Sequence, residues 1–164
     1  MDRTAQLSPL GLQRLRVLDC LGGNSPHAPG YFEPAAESNV FNAFSEYVAQ
    51  VSRQWVAASD PATISLIAAA RFLTGDLAAA DAIIDHLPPR AFKLDHGAGI
   101  CLVVPLYALS TALPLPADLK DTSRWVAGSA EQAALRAWLT AHRDHLRWVE
   151  ADGAYLPRTA DRSP

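Results

Sequence analysis

Residues Gly97–Ala117 read GAGICLVVPLYALSTALPLPA, 21 positions without a charged side chain. The run is as long as a membrane span. Its apolar heart, Ile100–Leu109, covers only ten residues, and Pro105 lies inside it. An apolar run of that length marks a buried core helix more often than a span. Pro114 and Pro116 break the end, and the flanking Asp95 and Asp118 are not the Lys/Arg clusters that orient membrane helices. The stretch is therefore read as a central helix at about 100–113, apolar all round because its neighbours enclose it. Pro105 either kinks this helix or sits in its first turn, after an extended lead-in at Ile100–Val104.

The surrounding sequence supplies helices to enclose it. Ser8 caps a first helix with Pro9 at its first position, and Gly22-Gly23 ends it. From about Asn39 to Ala58, Phe41, Phe44, Val48, Val51 and Trp55 recur every three or four residues. That spacing makes one apolar stripe, with Glu46, Gln50, Arg53 and Gln54 on the other face. Asp60-Pro61 opens a third helix carrying Ile64, Ile67, Ala68 and Phe72. Gly75 breaks it, Asp76 caps the next, and Pro88-Pro89 stop that one after Leu87. The span 61–87 is thus a helical hairpin with a short connection. Ser129 and Gln132 form a capping box for a last helix, with Leu135, Trp138, Leu139, His142, Leu146 and Val149 on one side. The alternative at its end is a β-hairpin across Asp152-Gly153, pairing Trp148-Val149 with Tyr155-Leu156.

These elements predict an all-α fold, a single-domain bundle of five or six helices over 1–157, with a disordered polar tail at 158–164. The composition agrees. The chain of 164 residues is 49% hydrophobic and 19% charged, which excludes a disordered acidic chain. Its net charge of -3 argues against a nucleic-acid binder, which needs a basic surface. The first 21 residues carry charges at Asp2, Arg3, Arg14, Arg16 and Asp19 and no apolar core of secretory type. A cytoplasmic protein is expected, with Cys20 and Cys101 as separate, buried, reduced thiols.

Gly75-Asp76-Leu77-Ala78-Ala79-Ala80 resembles the turn and second-helix opening of a tetratricopeptide repeat, with Ala68 and Ala80 as its facing small residues. The resemblance spans Ile64–Pro88. Arg71 stands where that pattern has an aromatic, the closing proline comes early, and no second copy follows. The resemblance implies a protein-binding groove rather than catalysis.

Catalytic patterns are sparse. His142 and His145 share a helical face at metal-ligand spacing, but no third ligand is committed by spacing, and the zinc-protease pattern is absent. His142 on the apolar stripe reads as a hydrogen-bonded core residue. The string Asp95–Cys101, DHGAGIC, offers glycine N–H groups for an oxyanion and a cysteine nucleophile, without a nucleophile-elbow pattern. No phosphate loop or dinucleotide fingerprint occurs. The leading expectation is a non-catalytic protein-binding domain: an adaptor, a secretion chaperone or a bacterial immunity-type protein. Its partner is another protein or a second copy of itself, with no nucleic acid, membrane, metal or cofactor. The candidate partner-binding residues are Tyr31 and Phe32, in the proline-rich loop, and Glu46 and Arg53. A small enzyme or ligand-binding domain using the Asp95–Cys101 loop is the alternative, and a membrane-associated protein through 97–117 the third reading.

Overall fold

The structure is a computed structural model and describes residues 7–21, 37–54, 60–91 and 100–159, with every side chain in them except those of 37–39, 51–54 and 100. Among these residues six α-helices run in the order α1 (Pro9–Cys20), α2 (Glu37–Gln54), α3 (Pro61–Phe72), α4 (Ala79–Asp85), α5 (Ile100–Ala112) and α6 (Ala130–His142). One antiparallel hairpin follows, β1 (Leu146–Val149) with β2 (Ala154–Pro157). The fold is all-α, and among the described residues no helix is long and apolar enough to cross a membrane.

Three helix starts obey local chemistry, whereas Asp76 does not cap α4, which opens at Ala79 without a side-chain cap; Asp76 pairs with Arg71 at 2.6 Å. The Ser8 hydroxyl accepts from the Gly11 N–H at 3.0 Å, and the Asp60 carboxylate from the Thr63 N–H at 3.2 Å; each cap precedes a proline at the first helical position. Ser129 accepts from the Gln132 N–H at 3.1 Å. The Gln132 side chain does not return to Ser129, as a capping box would require. Its Oε1 accepts from the Gly128 N–H at 2.8 Å, and its Nε2 donates to the Ile84 carbonyl at 2.7 Å. Gln132 thereby ties the first turn of α6 to the end of α4.

Helix α5 packs on α1, α3, α4 and β2, while α3, which meets α1, α2, α4 and α5 and is buried along most of its length, is the innermost helix. Helix α5 is one helix from Ile100 to Ala112 with Pro105 inside it, so the extended lead-in is not adopted. Proline has no N–H for the Cys101 carbonyl one turn back, so the helix is held through this point without that bond. The helix is not enclosed all round. Val103, Val104, Leu106, Ala108, Leu109 and Ala112 are buried, whereas Leu102, Tyr107 and Ser110 are half-buried and Thr111 is exposed. The exposed turn is hydroxylated, and Thr111 Oγ1 donates to the Tyr107 carbonyl at 2.6 Å. In the 61–87 hairpin Ala68 and Ala80 are both fully buried, and α3 packs more extensively on α4 than on any other element. Small side chains permit that close approach of two backbones.

The C-terminal region differs from the continuous helix expected to reach Val149. Helix α6 ends at His142, and Leu146 and Val149 lie in β1. The hairpin alternative is adopted, but one residue out of the expected register: Trp148 pairs with Tyr155 and Val149 with Ala154, in place of Trp148 with Leu156 and Val149 with Tyr155. The turn spans Glu150–Gly153, with Gly153 at φ 58. Glycine is favoured there for two reasons. The backbone is left-handed, and a Cβ would come within 2.8 Å of Leu10 Cβ on α1. The hairpin is anchored by Tyr155, 1% exposed, whose hydroxyl donates to the Phe72 carbonyl at 2.5 Å. Burial in this apolar site pushes the phenol pKa upward, and the charge of Asp76 adds to it. Arg158, in the segment read as a polar tail, donates from its backbone to the His145 carbonyl and from Nε to the Leu146 carbonyl.

Arg14 is a buried charge, 3% exposed. Its guanidinium donates to the Leu73 carbonyl at 2.9 Å and pairs with Glu150 at 2.6 Å. It also lies 5.3 Å and 5.4 Å from the ring centroids of Phe41 and Phe44. One side chain thus joins α1, α2, the end of α3 and the hairpin turn. Partial burial opposes ionisation of Glu150, but hydrogen bonds from Arg14 and Trp148, with the Arg14 charge, outweigh it and hold its carboxyl below the usual glutamate value. A depressed acid contributes stability above its unfolded pKa and loses it as pH falls through the lower folded pKa. Stability should therefore drop as pH falls from the ordinary glutamate range through that lowered value. The urea midpoint of Glu150→Gln should fall less steeply over that window than that of the parent. Equal slopes would show that Glu150 carries none of the acid sensitivity.

Candidate functional site

The residues proposed from sequence fall in different places. Tyr31 and Phe32 lie outside the described residues. Arg53 lies within α2, but its side chain is outside the description. Glu46 is exposed on α2. The structure adds a residue that sequence placed on the buried stripe: Phe41 is 45% exposed, the one large apolar side chain so exposed among the described residues. Phe44, one turn on, is fully buried. The two rings are neighbours about 60° apart on the helix, both within reach of the Arg14 guanidinium, and Phe41 lies at the solvent edge of the stripe.

Phe41, Asn42, Glu46, Ala49 and Gln50 are the exposed positions among the described side chains of α2, spread over about half of its circumference with Phe41 and Gln50 at the two edges. Phe41 is held in place rather than free, because the Arg14 guanidinium packs on its ring. An aromatic restrained in this way loses little side-chain entropy when covered. The sequence signal that could have singled it out is its place at the N-terminal end of the stripe. That signal is weak without knowledge of where the helix begins.

The catalytic candidates are not assembled. Cys101 is bonded to Cys20 in a disulfide, with a Cα separation of 5.4 Å. The expectation of two separate reduced thiols is thereby corrected. The ends of α1 and α5 meet side by side although 81 positions separate the cysteines. A sulfur in a disulfide is no nucleophile, and Asp95–Gly99 of the proposed oxyanion loop lies outside the described residues. His142 is exposed at the end of α6 rather than set in the core. Its Nδ1 contacts the Trp138 carbonyl at 2.7 Å, and its ring stacks on the indole at 4.4 Å. His142 and His145 both border a shallow cavity of about 240 Å³ rimmed by Pro114, Pro116 and Pro157. Among the described residues no group of three His, Cys, Asp or Glu side chains is placed to hold a metal ion.

Two further hollows flank α5. One of about 180 Å³ lies against α1, with Val17, Leu73, Val104 and Ala108 as its apolar wall and Arg16 on its lining. Another of about 350 Å³ is bordered by Asp60, Ser65, His86, Cys101, Pro105 and Leu106. His86 Nδ1 is engaged with the Ala82 carbonyl at 2.7 Å. Neither hollow brings a base beside a nucleophile. The ion pairs Arg136–Asp85 at 2.7 Å, from α6, and Arg143–Asp81 at 2.8 Å, from the 3₁₀ turn Arg143–His145 that follows it, join the C-terminal region to α4. Comparison with known proteins finds no protein family, no curated protein and no solved structure that matches this chain.

Proposed function

We propose that the chain is a non-catalytic protein-binding domain and that its partner, another protein or a second copy of the chain, meets the exposed face of α2. The observation that carries the reading is Phe41. It is a large aromatic left 45% exposed and held by Arg14, on the same helix as the exposed Glu46. Aromatic anchors of this kind supply most of the energy of protein interfaces, with a polar surround that excludes water. Glu46 gives that surround a negative charge, which favours a basic patch on the partner.

The Cys20–Cys101 bond bears on where this takes place. Disulfides persist in oxidising compartments and are rare where glutathione keeps thiols reduced. The reading that goes with the bond is a domain meeting its partner in oxidising surroundings, in place of the cytoplasmic setting expected from the sequence.

The experiment is site-specific photocrosslinking in the native host, with benzoylphenylalanine at position 41, at position 46, or at position 137 on the exposed side of α6. A discrete adduct from 41 and 46 but not 137, weakened about tenfold or more in affinity by Phe41→Ala, is the expected result. No adduct from 41 and 46, or the same adducts from all three positions, would overturn the proposal.

A further inference from the structure

We propose that the hollow of about 350 Å³ between the start of α3, the end of α4 and the start of α5 is a binding site for a small apolar primary amine, taken up in its ammonium form. The volume lies at the lower end of the range for small-molecule sites and suits a one-ring or short-chain ligand. Pro61, Leu87, Pro88, Leu102 and Leu106 give the hollow an apolar wall. The polar groups set into that wall decide what it accepts.

The first is a backbone carbonyl. Cys101, Leu102, Pro105 and Leu106 border the hollow, and this spacing is one face of α5. A helical N–H points back along its own face to the carbonyl four residues earlier, so the amide that Pro105 lacks would have lain on this side. The Cys101 carbonyl is thus deprived of its usual donor at the wall of the hollow. Ser65 is the second group. It is only 6% exposed, borders the same hollow, and its hydroxyl makes no hydrogen bond among the described residues. His86 is the third. Its Nδ1 meets the Ala82 carbonyl at 2.7 Å and must carry the proton there, which leaves Nε2 of the neutral ring as an acceptor.

Asp60 supplies the charge. It is exposed at the mouth of the hollow and has no ion-pair partner among the described residues. Hydrogen bonds from the Thr63 hydroxyl at 2.9 Å and the Thr63 amide at 3.2 Å hold its carboxyl below the usual aspartate value, so it is ionised at neutral pH. No lysine or arginine borders the hollow among the described residues. A carboxylate ligand would be repelled by Asp60, and a hydrocarbon would leave buried acceptors unpaired. An ammonium group brings three donors and a positive charge, and an apolar body behind it covers the wall.

The site is separate from the α2 face, so its test is independent of any protein partner. The full chain, with its disulfide intact, is titrated with 2-phenylethylamine, 2-phenylethanol and 3-phenylpropionate and followed by amide chemical shifts. The amine should bind about tenfold or more tighter than the alcohol and the acid, with shifts centred on 62–66, 86–87 and 101–106. Asp60→Asn keeps a good helix cap and removes the charge, and Pro105→Ala keeps the helix and returns a donor to the Cys101 carbonyl. Each should weaken the amine several-fold, and Asp60→Asn should leave the alcohol unchanged. Equal binding of the three probes, an amine affinity unchanged by either variant, shifts confined to other residues, or no saturation by roughly 10 mM would each overturn the proposal.

Discussion

Replacing Arg14 with alanine is expected to destabilise the fold by about 3–4 kcal/mol, which at this chain length lowers the thermal midpoint by roughly 10 °C. The components decide the size. The Leu73 carbonyl loses its buried donor, a loss of about 1–3 kcal/mol. The guanidinium no longer lies over Phe41 and Phe44, contacts worth about 0.5–2 kcal/mol each depending on desolvation. The ion pair with Glu150 is the smallest part, because the glutamate side chain is 50% exposed and rehydrates readily; such pairs contribute about 0–1 kcal/mol. Glu150→Gln should therefore cost less than about 1 kcal/mol, and Arg14→Lys should fall between the two, since an ammonium cannot reproduce the planar fork. Chemical denaturation of the three variants checks the order. If Glu150→Gln loses as much as Arg14→Ala, the ion pair carries the site and the assignment to the carbonyl and the rings is wrong.

Trp125→Ala is expected to cost about 3–5 kcal/mol, as large-to-small changes of buried aromatics do. The indole is 1% exposed, and its Nε1–H donates to the Leu119 carbonyl at 2.9 Å. It therefore both fills the core and fastens the short 3₁₀ turn Ala117–Leu119, which has no buried side chain of its own. Trp125→Phe keeps most of the volume and loses the donor, so about 1–2 kcal/mol is expected. Denaturant midpoints of the two variants separate the roles. A Trp125→Phe loss equal to that of Trp125→Ala would mean that the hydrogen bond, not the volume, dominates.

Neither residue stands out in the sequence, and the reason is physical. Helices were legible because their caps and their apolar spacing are local: Ser8-Pro9, Asp60-Pro61 and Ser129 each act on a backbone amide three residues away. The uncharged run around Pro105 marked helix α5 for a similar reason, because the burial of one element is written largely in its own composition. Arg14 is different. An arginine between Gln13 and Leu15 reads as a solvated residue, and only the arrival of Phe41, Leu73 and Glu150 from three other elements makes it a buried one. Trp125 sits in an aperiodic stretch, where no spacing reports which side faces inward. The disulfide joins positions 81 apart, a distance at which two cysteines carry no pairing information. Of the candidate site, Glu46 was legible as part of a polar face. Phe41 was not, since exposure at the end of a stripe depends on what covers that end.

The C-terminal end of α3 has a consequence for the order of events when the chain is synthesised. The Leu73 carbonyl is satisfied from α1, which is made early, by Arg14. The neighbouring Phe72 carbonyl receives the hydroxyl of Tyr155, 83 positions downstream. The glutamate that completes the Arg14 cluster arrives in the same late hairpin. A nascent chain halted before Tyr155 can therefore form its local helices but cannot close the junction on which they converge. Domains whose closing contacts come last expose apolar surface until those contacts are made. For this chain the vulnerable interval ends with one short hairpin, and release of that segment from the ribosome is the step that commits the bundle.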